Sequence, residues 1–91
     1  MPRICVKVKV TGLVHGVFFR ASLARIAAEE GVAGWVRNVP DGSVESVLEG
    51  EEKAVQRVVE WAHRGPSRSR VDSVKTERQA IRNLKGFRIE S

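Results

Sequence analysis

The chain has 91 residues, 42% hydrophobic and 30% charged, the size and balance of one globular domain over residues 1–91, which excludes a two-domain arrangement and intrinsic disorder. No apolar run approaches the ~20 residues of a membrane span or the ~7–15 of a secretory signal core. The single cysteine, Cys5, excludes an internal disulfide and a cysteine-based zinc site, so the expectation is a cytoplasmic protein with no metal and no membrane partner.

The net charge of +5 is unevenly spread. Residues 1–63 hold 8 Lys and Arg against 8 Asp and Glu, while residues 64–91 hold 8 against 3. Arg64, Arg68, Arg70, Lys75, Arg78, Arg82, Lys85 and Arg88 are able to attract nucleic acid or a small phosphate, or to form an ordinary solvated surface.

Ile4, Val6, Val8 and Val10 alternate with Cys5, Lys7, Lys9 and Thr11, the period of two that marks a half-buried strand. A loop from Gly12 to Val17 then opens into a helix over roughly 18–30, set by Phe19, Leu23, Ile26, Ala27 and Glu30 and closed by Gly31. Val32, Trp35, Val36 and Val39 suit a second strand, Pro40-Asp41-Gly42 is a turn signal, and Val44 to Glu49 alternate again, which makes a hairpin. From Glu51 to Arg64 the residues Ala54, Val55, Val58, Trp61 and Ala62 share one helical stripe, with acids in the first turn, His63 and Arg64 in the last, and Gly65-Pro66 as the stop. A Ser/Arg-rich linker, residues 67–70, leads to a weaker strand from Val71 to Arg78, a polar connection over residues 79–85 and a short closing strand from Phe87 to Glu90.

This βαββαβ order plus a short fifth strand is that of the ferredoxin-like α/β sandwich, an α+β fold whose antiparallel sheet carries two helices on one face. A right-handed crossover makes the first two strands parallel, and the third fills the gap between them. Their C-terminal ends then share one edge of the sheet, about 10 Å apart. What the Gly12 to Arg20 loop binds is within reach of the end of the second strand, where Asn38 is the polar candidate.

A glycine-containing loop that runs into a helix can turn several N–H groups toward one point, where the helix dipole adds positive charge. The segment with Gly12 and Gly16 therefore reads as an anion cradle or as a plain turn. The first helix carries its charges against its dipole, with Arg20 and Arg25 early and Glu29 and Glu30 late. An isolated charge so placed costs roughly 0.3–1 kcal/mol. An anion held between the loop and Arg20 removes the conflict; a tolerated surface arginine is the other reading.

The run G-L-V-H-G-V-F-F-R, Gly12 to Arg20, and the run G-W-V-R-N-V-P-D-G-S-V-E, Gly34 to Glu45, resemble the two signature segments of the acylphosphatases. The resemblance extends through Gly65-Pro66 to the closing G-F-R-I at Gly86 to Ile89. It implies a ferredoxin-like fold and hydrolysis of the carboxyl-phosphate bond of acyl phosphates without cofactor or metal. It also implies that Arg20 and the main chain of Val14, His15, Gly16, Val17, Phe18 and Phe19 bind the phosphate, or a sulfate in its place, while Asn38 positions the attacking water. His15 departs from the family's usual glutamine, and reads as a cation near the phosphate or as a loop residue facing solvent.

The residue types suit that chemistry. An acyl phosphate has a good carboxylate leaving group, so it needs a clamp for a dianion and an oriented water rather than a covalent nucleophile. Arginine offers a planar fork that stays charged, and asparagine offers an acceptor and a donor without a charge to repel substrate.

Other candidates have structural readings. Asp41 suits the hairpin turn, His63 the negative end of its helix, Trp61 the core, and Cys5 an inert strand position; Trp35 either packs on the sheet or stacks on an acyl group. An RNA-recognition module is the rival on the same fold, but the first and third strands carry no aromatic for base stacking, which argues against a nucleic-acid partner. A relative of the acylphosphatase-like domains of hydrogenase-maturation proteins is a further reading, for which the chain is short. A small monomeric acylphosphatase is the expectation; the acyl half of its substrate is not specified by these motifs.

Overall fold

The structure is a computed structural model and describes residues 2–90. Ile4, Val6, Val8 and Val10 are buried on one side of β1 (Arg3–Leu13), as the alternation predicts. They meet Phe19, Leu23 and Ala27 of α1 (Phe19–Glu29) and Ala54, Val55, Val58 and Ala62 of α2 (Glu52–Arg64) in one apolar core. Val36 of β2 (Ala33–Asn38) and Val44 and Leu48 of β3 (Val44–Glu51) complete the sheet side of that core. Burying each such side chain contributes about 1.5–3 kcal/mol before the entropy of ordering it is counted. Both helices lie on this face, which gives the ferredoxin-like sandwich.

With β4 (Arg70–Gln79) and β5 (Phe87–Glu90) the strand order is β4-β1-β3-β2-β5. β3 fills the gap between β1 and β2, and its Val44 faces Val10 on one side and Asn38 on the other. The ends of β1 and β2 therefore share a sheet edge.

The expectation of an antiparallel sheet holds for four strands, whereas β5 runs parallel to β2 and makes the sheet mixed. The cause lies in residues 80–86, which leave one edge and cross to the other at the end where β2 begins, so that β5 starts opposite Gly34. The crossing is fastened by Glu49, a fully buried carboxylate that accepts the backbone N–H groups of Arg82 (3.1 Å), Asn83 (2.9 Å) and Leu84 (3.0 Å). Among the described residues no helix is long and apolar enough to cross a membrane.

Candidate active site

The sequence reading places Gly12 in the loop, but the structure places it inside β1, at an irregularity in the pairing with β4. Its φ is 129°, and a Cβ there would stand 2.1 Å from the Arg70 carbonyl oxygen. Gly12 thus serves close strand pairing and not the cradle, a role set by a partner strand that no local window contains. The turn after β1 is built from Val14 to Phe18. Val14 and Val17 are buried and pin the segment to the core, while Gly16 (φ 71°) and Phe18 (φ 63°) take the left-handed conformation. Such a backbone concentrates N–H groups on one side. For Phe18 it costs on the order of 1–2 kcal/mol.

Phe18 is also the N-cap of α1 and offers no side-chain acceptor to the helix. Its carbonyl accepts the Ser22 amide at 3.0 Å, which leaves the amides of the first turn without helical partners. Phe19, 1% exposed, sets its ring 5.4 Å from that of Trp61 and locks this turn to α2. Arg20 follows directly, so its direction is fixed by a core contact.

The reversed charges of α1 resolve unequally. Arg25 pairs with Glu29 at 3.6 Å and Glu30 pairs with Arg57 of α2 at 2.7 Å. Arg20 has no carboxylate within ion-pair distance among the described residues, and its one hydrogen bond is a long 3.4 Å donation to the Glu90 carbonyl. A half-buried guanidinium so placed is available to an anion.

Arg20 lines a cavity of about 300 Å³ together with Val14, Gly16, Phe18, Phe19, Ala21, Asn38 and Ile89. Asn38 ends β2, and its Oδ1 is buried without a hydrogen-bond partner among the described residues. Leaving a buried carbonyl oxygen unpaired costs about 1–3 kcal/mol, and a water or ligand in the cavity would supply the missing donor.

His15 is half-buried and does not simply face solvent, which corrects that reading. Its Nε2 lies 2.7 Å from the Ser43 carbonyl oxygen, and since a carbonyl only accepts, Nε2 carries the proton. Ser43 is held in turn by Asp41, whose carboxylate accepts its hydroxyl (2.6 Å) and amide (2.9 Å) and receives the Lys9 ammonium at 3.0 Å. The Ser43 hydroxyl and amide, with the Lys9 ammonium, hold the Asp41 carboxyl well below the usual carboxylate range. Asp41 is a turn residue, as its tripeptide suggests.

The structure brings Arg20, Asn38, Val14, Gly16, Phe18 and Phe19 to one cavity. Val17 faces the core, and His15 lines a neighbouring groove with Arg37, Asn38, Val39 and Pro40. Ala21 and Ile89 are additions that sequence reading missed; for Ile89 the only signal is its place in the closing G-F-R-I. Trp35 projects to the opposite sheet face, with the Arg37 guanidinium 5.1 Å over its ring, and is not part of the cavity. His63 lies outside that cavity as well, with its Nδ1 3.0 Å from the Val59 carbonyl in the last turns of α2. Cys5 is buried, and that burial, with the Glu49 carboxylate beside it, raises its thiol pKa.

The acylphosphatase family model matches residues 6–89. An acylphosphatase of Thermococcus kodakarensis is 43% identical over 89 residues, 98% of each chain. The crystal structure of acylphosphatase from Bacillus subtilis superposes with a TM-score of 0.94 at 32% identity, covering 97% of this chain and 99% of that one. HypF of T. kodakarensis superposes with a TM-score of 0.85 at 28% identity, where the match covers 97% of this chain and 12% of that one. The chain belongs to the acylphosphatase family. It is accordingly a hydrolase of acyl phosphates.

Proposed function

We propose that this enzyme cleaves the carboxyl-phosphate bond by direct attack of water, with the phosphate gripped by Arg20 and by the main-chain amides from Val14 to Phe19. The observation that carries the reading is the pairing, in one cavity, of a guanidinium without a carboxylate partner and a buried carboxamide oxygen without a donor among the described residues. The guanidinium fork and the first-turn amides of α1 neutralise the dianion. Asn38 Oδ1 accepts one hydrogen of the water and aims its lone pair at phosphorus, in line with the departing carboxylate. The P–O bond to the carboxylate breaks as the new P–O bond forms, and the water's proton passes to a phosphate oxygen, so no separate base is required. Charge that gathers on the phosphoryl oxygens in the transition state is met by donors already in position.

The same reading takes the enzyme as a cytoplasmic monomer with inorganic phosphate or sulfate as a competing ligand and without cofactor. The test follows benzoyl phosphate cleavage by ultraviolet absorbance in the presence of a chelator. Arg20→Ala is expected to lose about 10²–10³-fold in kcat/KM and to weaken phosphate inhibition. Asn38→Ala is expected to lose a similar factor mainly in kcat, because water and not substrate is its partner. Full activity of either variant overturns the assignment, and activity abolished by chelator overturns the metal-free mechanism.

A further inference from the structure

Among the described residues four large apolar side chains are conspicuously exposed: Leu13, Phe18, Ile81 and Ile89. Two of them, Phe18 at 76% and Ile89 at 50%, line the cavity that holds Arg20 and Asn38. Phe18 departs from both local and solvation preferences. Its φ of 63° suits glycine or asparagine, and its ring is in water rather than in the core that its neighbour Phe19 occupies. Ile89 comes from a different part of the chain, on β5 opposite Val36. Its arrival at the same cavity depends on the crossing of residues 80–86.

The polar groups of the cavity are all accounted for by a phosphate and a water, which leaves the acyl half of a substrate to meet the remaining lining. We infer that Phe18 and Ile89 are the specificity-determining residues of the reaction, forming an apolar rim that selects acyl phosphates with an aryl or branched alkyl group over acetyl phosphate. The inference rests on the proposed phosphate grip and adds the recognition of the other half of the molecule. A bound aryl group covers both side chains, and this gain of apolar contact is absent for a methyl.

The experiment measures kcat/KM for benzoyl phosphate and acetyl phosphate in the wild type and in the double variant Phe18→Asn/Ile89→Thr. Asparagine accepts the left-handed backbone and threonine keeps the β-branched shape suited to a strand. The readout is the change in the ratio of the two substrates between wild type and variant, in which intrinsic reactivity and any general weakening of the phosphate grip cancel. The ratio is expected to fall about tenfold in the double variant, the lower end of what an apolar pocket discriminates. A ratio within twofold of wild type overturns the inference. Arg20→Ala separates the two layers: a large equal loss on both substrates upholds the grip whatever the ratio does, and no loss on either removes the reading beneath it.

Discussion

The Nε2 atom of His15 lies 2.7 Å from the carbonyl oxygen of Ser43, 28 residues further along the chain. The same carbonyl accepts the Val39 amide at 2.9 Å, so one oxygen ties the end of β2 to the turn and the turn to the segment from Val14 to Phe18. Asn38 and the amides of that segment are thereby referred to a common anchor.

Removing the tether by His15→Ala is expected to raise the inhibition constant of inorganic phosphate and the KM of benzoyl phosphate about fivefold, the equivalent of one net hydrogen bond of ~1 kcal/mol. His15→Gln retains a donor and is expected to keep both constants within twofold of wild type. Its pH-rate curve is expected to follow wild type, since Nε2–H donates to Ser43 in either charge state of the ring. A displaced curve assigns the imidazole a charge-bearing role at the phosphate instead.

Gly12 and Gly16 look alike in sequence but answer differently to a methyl group. An alanine Cβ at Gly12 would meet backbone on β4 at 2.1 Å, so Gly12→Ala is expected to destabilise by about 3 kcal/mol, or ~15 °C in Tm. A Cβ added at Gly16 would meet no atom within 4 Å among the described residues beyond its chain neighbours, and only the left-handed φ of 71° opposes the change. Gly16→Ala is expected to cost about 1 kcal/mol of stability while lowering kcat/KM, because the methyl stands on the cavity lining. Thermal melts beside phosphate inhibition distinguish the two; equal melting points would remove the distinction.

What was legible in the sequence follows from the range of the interactions. The alternation of β1 and the stripe of α2 are local, and the strand order follows from handedness once the elements are named. Arg20 was visible as a charge set against its helix dipole, and the structure adds that Arg25 and Glu30 have ion-pair partners whereas Arg20 has none among the described residues. The role of Gly12 depends on Arg70, the tether of His15 on Ser43, and the arrival of Ile89 on a crossing segment. None of these pairings has a period or a spacing that a window along the chain can detect.

Glu49 illustrates how a distant polar contact governs the fold. Its burial alone would raise the carboxyl pKa, but the amides of Leu84, Asn83 and Arg82, aided by the Arg3 charge, bring the net value below the ordinary 4.5. The folded state therefore binds fewer protons than the unfolded chain in the acid range. The stability contributed by the ionised form is complete above about pH 4.5 and is lost as pH falls through the depressed folded value. Glu49→Gln replaces one oxygen by an amide nitrogen that faces other N–H groups, and is expected to cost about 2–3 kcal/mol at neutral pH. For a domain of this size that is roughly 10–20 °C in Tm. The difference between wild type and Glu49→Gln is expected to shrink as pH is lowered below 4.5, since protonation removes from the wild type what the substitution has already removed. Melts at neutral pH and at successively lower pH measure that difference directly; a gap constant across the range would mean that the carboxylate charge does not hold the crossing segment.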